Sequence, residues 1–221
     1  MSARRILVTA VAIATLVVPT VTQAAVLRVV TPTKTVFGAS ATHVGSTRSY
    51  VDSRGHAHKL RRHTALGQLV AASAYTNTEF EAVYFPEYKS AMVTEIAGVR
   101  APKTGYWELF VNGSPAQLGA ADVILKPTDS VVWIADTDYS AKNGPFVYDL
   151  ASKDNGNGTV TFTGIRIGGT RPKPAAGVAI TVNGTAVTLD AKGKATIAIA
   201  HPWTASIGAR GNVLASETLT G

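Results

Sequence analysis

The chain of 221 residues contains no cysteine. That absence excludes disulfides, thiolate metal sites, a cysteine nucleophile and a lipid-modified cysteine anchor, so ordinary cores must hold the fold. Catalytic signatures are missing as well: there is no Gly-x-Ser-x-Gly elbow, His-Glu-x-x-His helix, Ser-x-x-Lys set, phosphate loop or dinucleotide fingerprint. These absences argue against an enzyme. After the first twenty residues no long apolar run recurs, so no membrane span is expected in the mature chain.

Arg4 and Arg5, the apolar and small residues from Ile6 to Val18, and Thr22-Gln23-Ala24 predict a secretory signal peptide over residues 1–24. Its apolar run falls short of the ~20 residues that span a bilayer. The expected location is secreted, extracellular, and the arginine pair is compatible with either Sec or twin-arginine export. Loss of Arg4 and Arg5 with the leader lowers the formal net charge from +7 to +5. Both signs are interspersed along the remainder, which favours loose attraction to an anionic cell-wall polymer over a nucleic-acid groove.

Most of the chain alternates apolar and polar residues with period two between Gly, Asn, Asp and Pro, the pattern of strands and turns. One segment departs from it. From Thr64 to Tyr75, Leu66, Leu69, Val70 and Ala74 recur at helical spacing, with Thr64 placed as N-cap and Gly67 costing about 1 kcal/mol relative to Ala. Strands are expected at Val26 to Val30, Glu81 to Phe85, Met92 to Val99, Tyr106 to Val111, Val123 to Leu125 and Val131 to Ala135. DTDYSAKNGP at 136–145 has the composition of a connection. Beyond it, short strands with Asn-Gly and Lys-Gly turns recur as in a small antiparallel sandwich. The predicted fold is mainly β: a β-grasp-like α+β module over 25–142, with one helix on a sheet, followed by an immunoglobulin-like β-sandwich over 143–221.

In an extended GYWELFVNG, Trp107, Leu109 and Val111 point to one face, and Tyr106, Glu108 and Phe110 to the other. Asn112-Gly113 supplies a turn. In SVVWIAD, Val131, Trp133 and Ala135 share a face, so the two indoles can lie on one side of a common sheet. The pattern Ile96, Gly98, Gly105, Trp107, Val111-Asn112-Gly113, Gly119-Ala120, Leu125, Val131 and Trp133 resembles the C-terminal β domain of the B12 carriers transcobalamin and intrinsic factor, which also occurs as a module of bacterial secreted proteins. The likeness covers roughly residues 90–136. Pro127-Thr128-Asp129 stands where that family has a Gly-Asp turn. In the vitamin carriers the ligand lies between this domain and a helical one that nothing here supplies; cobalamin, or another flat tetrapyrrole, is therefore the ligand the resemblance permits.

Packing is the plainer account of Trp107 and Trp133. A single sheet with one helix buries one face, which leaves Tyr106, Phe110 and Tyr139 as candidates for an exposed aromatic surface able to stack on a ligand, a sugar or a protein. The ligand-binding candidates are thus Tyr106, Trp107, Phe110, Trp133 and Tyr139. In HAHKLRRH, His56 and His58 on a strand would form half of a zinc or copper site, with His63 nearby. No carboxylate beyond Asp52 is near enough in sequence to complete it, so no metal is expected. A solvated basic patch of Arg54, Lys59, Arg61 and Arg62 is the alternative.

Asp136-x-Asp138-x-Ser140 lacks the Gly spacing and closing Glu of a calcium loop. The glycan-type triplets at Asn112, Asn157 and Asn183 coincide with Asn-Gly turns. Residues Thr188, Asp190 and Gly193 resemble the strand-joining turn of bacterial immunoglobulin-like modules, which serve mainly as spacers or adhesive units. The sequence reading is a secreted, non-enzymatic binding or structural protein with no cofactor of its own. Corrinoid binding and a cell-wall-associated adhesion or accessory role are the alternatives.

Overall fold

The computed structural model describes residues 25–31, 35–41, 49–101, 106–136, 146–169, 171–211 and 213–221. The expected leader, Tyr139 and the calcium-like run after Asp136 lie outside the described residues. The chain is mainly β, with a single α-helix among the described residues. Its first half contains β1 (Val26–Val30), β2 (Thr35–Ala41), β3 (Ser49–Val51), β4 (Ala57–Lys59), α1 (Ala65–Thr76), β5 (Phe80–Phe85), β6 (Ser90–Ile96), β7 (Val99–Arg100), β8 (Tyr106–Val111), β9 (Ser114–Pro115) and β10 (Ser130–Asp136). The sheet order is β2-β1-β10-β8-β9, with β1 and β10 parallel at its centre and α1 lying between them in sequence. This is the β-grasp arrangement. Central parallel strands buried on both faces read as near-continuous apolar runs, as VVWIA does and as VLRVV does apart from Arg28.

Thr64 caps α1, its hydroxyl accepting the Gly67 N–H at 3.0 Å. Gly67 suits this tight cap, because a Cβ there would sit 3.0 Å from the Thr64 hydroxyl. The next donors explain why Val123–Leu125 is not the strand its sequence predicts. Ala65 N–H reaches the Val123 carbonyl at 2.9 Å and Leu66 N–H the Ala120 carbonyl at 3.0 Å, so this segment satisfies the helix's first-turn amides, which have no partner inside the helix. Of its ladder only the Thr64–Ile124 bridge remains. The long strand predicted at Met92 to Val99 is broken too. Ala97 and Gly98, at φ 54° and 72°, form a tight turn that folds β7 back on β6.

In the second half, β11 (Phe146–Asp154), β12 (Thr159–Ile167), β13 (Lys173–Pro174), β14 (Ala179–Val182), β15 (Thr185–Thr188), β16 (Lys194–Ala198), β17 (Thr204–Ile207), β18 (Val213–Leu214) and β19 (Leu219–Thr220) form two sheets. One carries β13-β12-β11-β18 with β16 also on β12; the other is β15-β14-β17-β19. Phe162, Ile180, Leu189, Trp203 and Ile207 fill the space between them. The sandwich expected from the turn spacing is present.

Alternation along the first sheet sorts its side chains into two cores. Leu27, Val29, Trp107, Leu109, Val131 and Trp133 join Leu66 and Leu69 under the helix. Val30, Phe110, Val132 and Ile134 point the other way and meet Val147 and Ile167 of the second half. The premise that one sheet face stays open is thus overturned: β11 and β12 cover it. The Asn112-Gly113 turn joins the same contact, since a Cβ on Gly113, at φ 77°, would come 2.9 Å from Pro172.

Candidate functional site

Of the five aromatic candidates, Trp107 and Trp133 lie together. Their strands pair with Trp107 opposite Ala135 and Leu109 opposite Trp133, so both indoles project from one face, as the period-two pattern indicates. They line a cavity of about 300 Å³ between β6, β8 and the segment after β9. Tyr106, half-buried, also lines it, and the exposed Met92 and Leu118 stand at its edge. Trp107 and Trp133 are 5% and 2% exposed, and neither indole N–H has a hydrogen-bond partner among the described residues. Buried indole N–H groups normally find an acceptor. Tyr106 and Glu108 add a phenol and a carboxylate to the wall, while the two indole N–H groups lie buried behind it; together they suit a polar group carried on an apolar body.

Phe110 does not belong to this site. It is fully buried between the first sheet and β11–β12, so its assignment to an exposed binding surface is corrected. The Asn112 side chain is structural: its Nδ2 donates to Asp129 at 2.9 Å and its Oδ1 accepts the Ser130 N–H at 3.0 Å, while Asp129 also accepts the Lys126 N–H at 2.7 Å. The Asn112-Gly113 and Pro127-Thr128-Asp129 turns are therefore locked together. That is the work done by the turn that departs from the transcobalamin-like pattern.

The histidine segment forms a hairpin, β3–β4, that its basic composition conceals. Asp52 organises it, accepting the backbone N–H groups of Arg54 and His56 at 3.0 and 2.9 Å and pairing with His58 Nε2 at 3.0 Å. His58 stacks on Tyr84, 4.1 Å between ring centroids. Among the described residues no group of three or more His, Asp or Glu side chains is placed to hold a metal ion, and the pairing with Asp52 explains what His58 does instead. Arg54, Lys59, Arg61 and Arg62 are all exposed around this hairpin and the approach to α1.

Removal from solvent pushes the Asp52 carboxyl up, but the His56 amide, the His58 ring and the Arg54 amide together hold it below its ordinary value of 3.8. A carboxyl depressed by folding contributes stability that is complete above its unfolded pKa and is lost as pH falls through the folded one. The expected result is a denaturation midpoint that drops on acidification below about pH 4, and less steeply in Asp52→Asn. Urea titrations of both proteins at several acidic pH values check it; parallel curves would remove Asp52 from the account.

Comparison with known protein families relates part of the chain to one of them. Residues 63–137 match a domain of unknown function (DUF4430). The matched segment runs from the residue before the α1 cap through β10 and so contains every residue that lines the indole cavity. No curated protein matches the chain. Among the described residues, no helix is long and apolar enough to cross a membrane.

Proposed function

We propose that this chain is an exported, non-enzymatic binding protein whose β-grasp half captures a small molecule, or a protruding group of a larger one, in the indole cavity. The observation that carries this reading is a cavity walled by Trp107 and Trp133, whose indole N–H groups are buried and have no hydrogen-bond partner among the described residues. A small rotation of either ring would bring its N–H within reach of an acceptor oxygen in the cavity, and meeting a buried donor left unpaired is favourable. A volume near 300 Å³ stands at the small end of ligand pockets, and the apolar edge at Met92 and Leu118 favours an apolar body behind the acceptor.

Corrinoid binding is the second reading, supported by the match of residues 63–137 to a family related to transcobalamin-like domains. The cavity is small for a whole macrocycle; a corrin would lie across its mouth and insert a peripheral amide carbonyl. The basic hairpin around Arg54, Lys59, Arg61 and Arg62 supports a loose association with anionic wall polymer that is independent of the cavity.

The test uses the protein's three tryptophans. In proton–nitrogen correlation spectra of the mature protein, cobinamide and cobalamin are titrated against the three indole N–H resonances. Trp203 lies in the core of the second half and serves as the internal control. Saturable downfield shifts of Trp107 and Trp133 with Trp203 unmoved, lost in Trp107→Phe, would support a corrinoid carrier. If neither compound moves these two resonances, the corrinoid reading fails. If a library of small amides and sugars also leaves them in place, the binding function fails with it.

A further inference from the structure

A second cavity, of about 480 Å³, opens between the last turns of α1, β3 and the β5–β6 sheet. Its wall includes Glu79, Glu81 and Glu95 together with Tyr50, Ser73 and Phe80. Glu81 and Glu95 are direct cross-strand partners, a placement that repels. Arg100 relieves the repulsion from outside the cavity, its Nη2 2.9 Å from Glu81 and 2.8 Å from Glu95. Three carboxylates against one guanidinium leave negative charge in excess. The C-terminal end of α1 adds the negative pole of its dipole, with no basic residue in the last turn to offset it. A cavity of this sign is unexpected in a chain whose net charge is +7.

Two further groups point to a ligand independently of the charge. Tyr50 and Ser73 are 6% and 7% exposed, and the hydroxyl of each is buried with no hydrogen-bond partner among the described residues. Burial, with Asp52 and Tyr84 adding to it, pushes the Tyr50 phenol up to about 12, so the oxygen stays protonated and keeps lone pairs to accept with. The Tyr50 and Phe80 rings stand 6.4 Å apart at 40°, offering aromatic surface of the kind that attracts cations. The carboxylates are not gathered tightly enough to hold a metal ion, so the fitting guest spreads its contacts over a longer body.

We infer that this cavity binds an alkylammonium group, its charge met by the glutamates, its N–H donors by the Tyr50 and Ser73 hydroxyls, and its alkyl stem by the Tyr50 and Phe80 rings. A free diamine and the lysine side chain of a peptide share this chemistry. Calorimetric titration of the mature chain with 1,5-diaminopentane and with N-acetyl-lysine amide, each at low and moderate salt, separates the two sources: binding of the diamine alone identifies free amines, and binding of both identifies a lysine-bearing partner.

Either result should weaken about tenfold or more in a Glu79→Gln, Glu95→Gln protein. Arg100→Gln should instead tighten binding severalfold by unmasking Glu81 and Glu95, a gain that a damaged fold could not produce. Failure of both probes to bind the unaltered protein, or affinities indifferent to the glutamate and Arg100 changes, would overturn the inference. Neither result bears on the indole cavity, whose residues are different.

Discussion

Arg28→Met is expected to destabilise the folded chain by about 2–4 kcal/mol, because it leaves two backbone carbonyls and a half-buried carboxylate without their donor. Arg28 occupies the middle of VLRVV and is 3% exposed. It projects away from the helix and crosses into the second half. There Nη1 donates to the Tyr148 carbonyl at 2.7 Å, Nη2 donates to the Ala215 carbonyl, and Nε lies 3.1 Å from Glu217. Burial pulls the guanidinium pKa down while Glu217 and Asp149 hold it up. The same burial pushes Asp149 up against the pull of Arg28. A methionine keeps much of the volume but deserts two carbonyls and two carboxylates, and those losses set the size of the effect.

Two controls separate this account from ordinary core damage. In Arg28→Met, Glu217→Gln the uncompensated carboxylate is gone, so part of the lost stability should return, and the double-mutant cycle should give a coupling well above the few tenths of a kcal/mol expected of independent sites. Urea denaturation with midpoint and slope read together makes the measurement. An unchanged midpoint in the single variant would mean that the apolar contact alone docks the two halves and that the guanidinium network adds nothing net.

Arg28 also illustrates what local sequence can reveal. A lone arginine inside an apolar strand signals a buried partner, but its partners, at Tyr148, Ala215 and Glu217, lie more than a hundred residues away and no local pattern names them. The features that were legible are those fixed within a turn or a strand. Thr64 with Leu66 and Leu69 specifies the capped helix, and Trp107 and Trp133 fall on one face because period two demands it. Val123–Leu125 misleads because its apolar pattern is that of a strand while its carbonyls serve the amides of α1. The β3–β4 hairpin is hidden by its histidines and arginines, and becomes intelligible only when Asp52 is seen to collect its amides. Both cavities depend on contacts between elements, and the second joins Tyr50 to Glu95 across α1 and β5.

Phe110→Ala is expected to cost about 3–5 kcal/mol, the range for deleting an enclosed aromatic ring. The size of this effect decides between two pictures of the molecule. If the first sheet bared the Phe110 face to water, the same change would fall within about 0.5 kcal/mol, as for most surface substitutions. The structure instead seats the ring, fully buried, among Val30, Val132, Ile134, Val147 and Ile167. Its loss leaves a void that apolar neighbours on two rigid sheets cannot close by a local shift, so the transfer and cavity penalties add. Phe110→Leu, retaining most of the apolar contact, should recover the larger part. Trp107 projects from the other face of the same strand, so Phe110→Ala should leave the indole N–H resonances of Trp107 and Trp133 near their original positions while the denaturation midpoint falls. A small loss of stability would show that the two halves are not docked through this face. A large loss with unmoved indole resonances would assign Phe110 to the joint between the halves and leave the binding chemistry with the paired tryptophans.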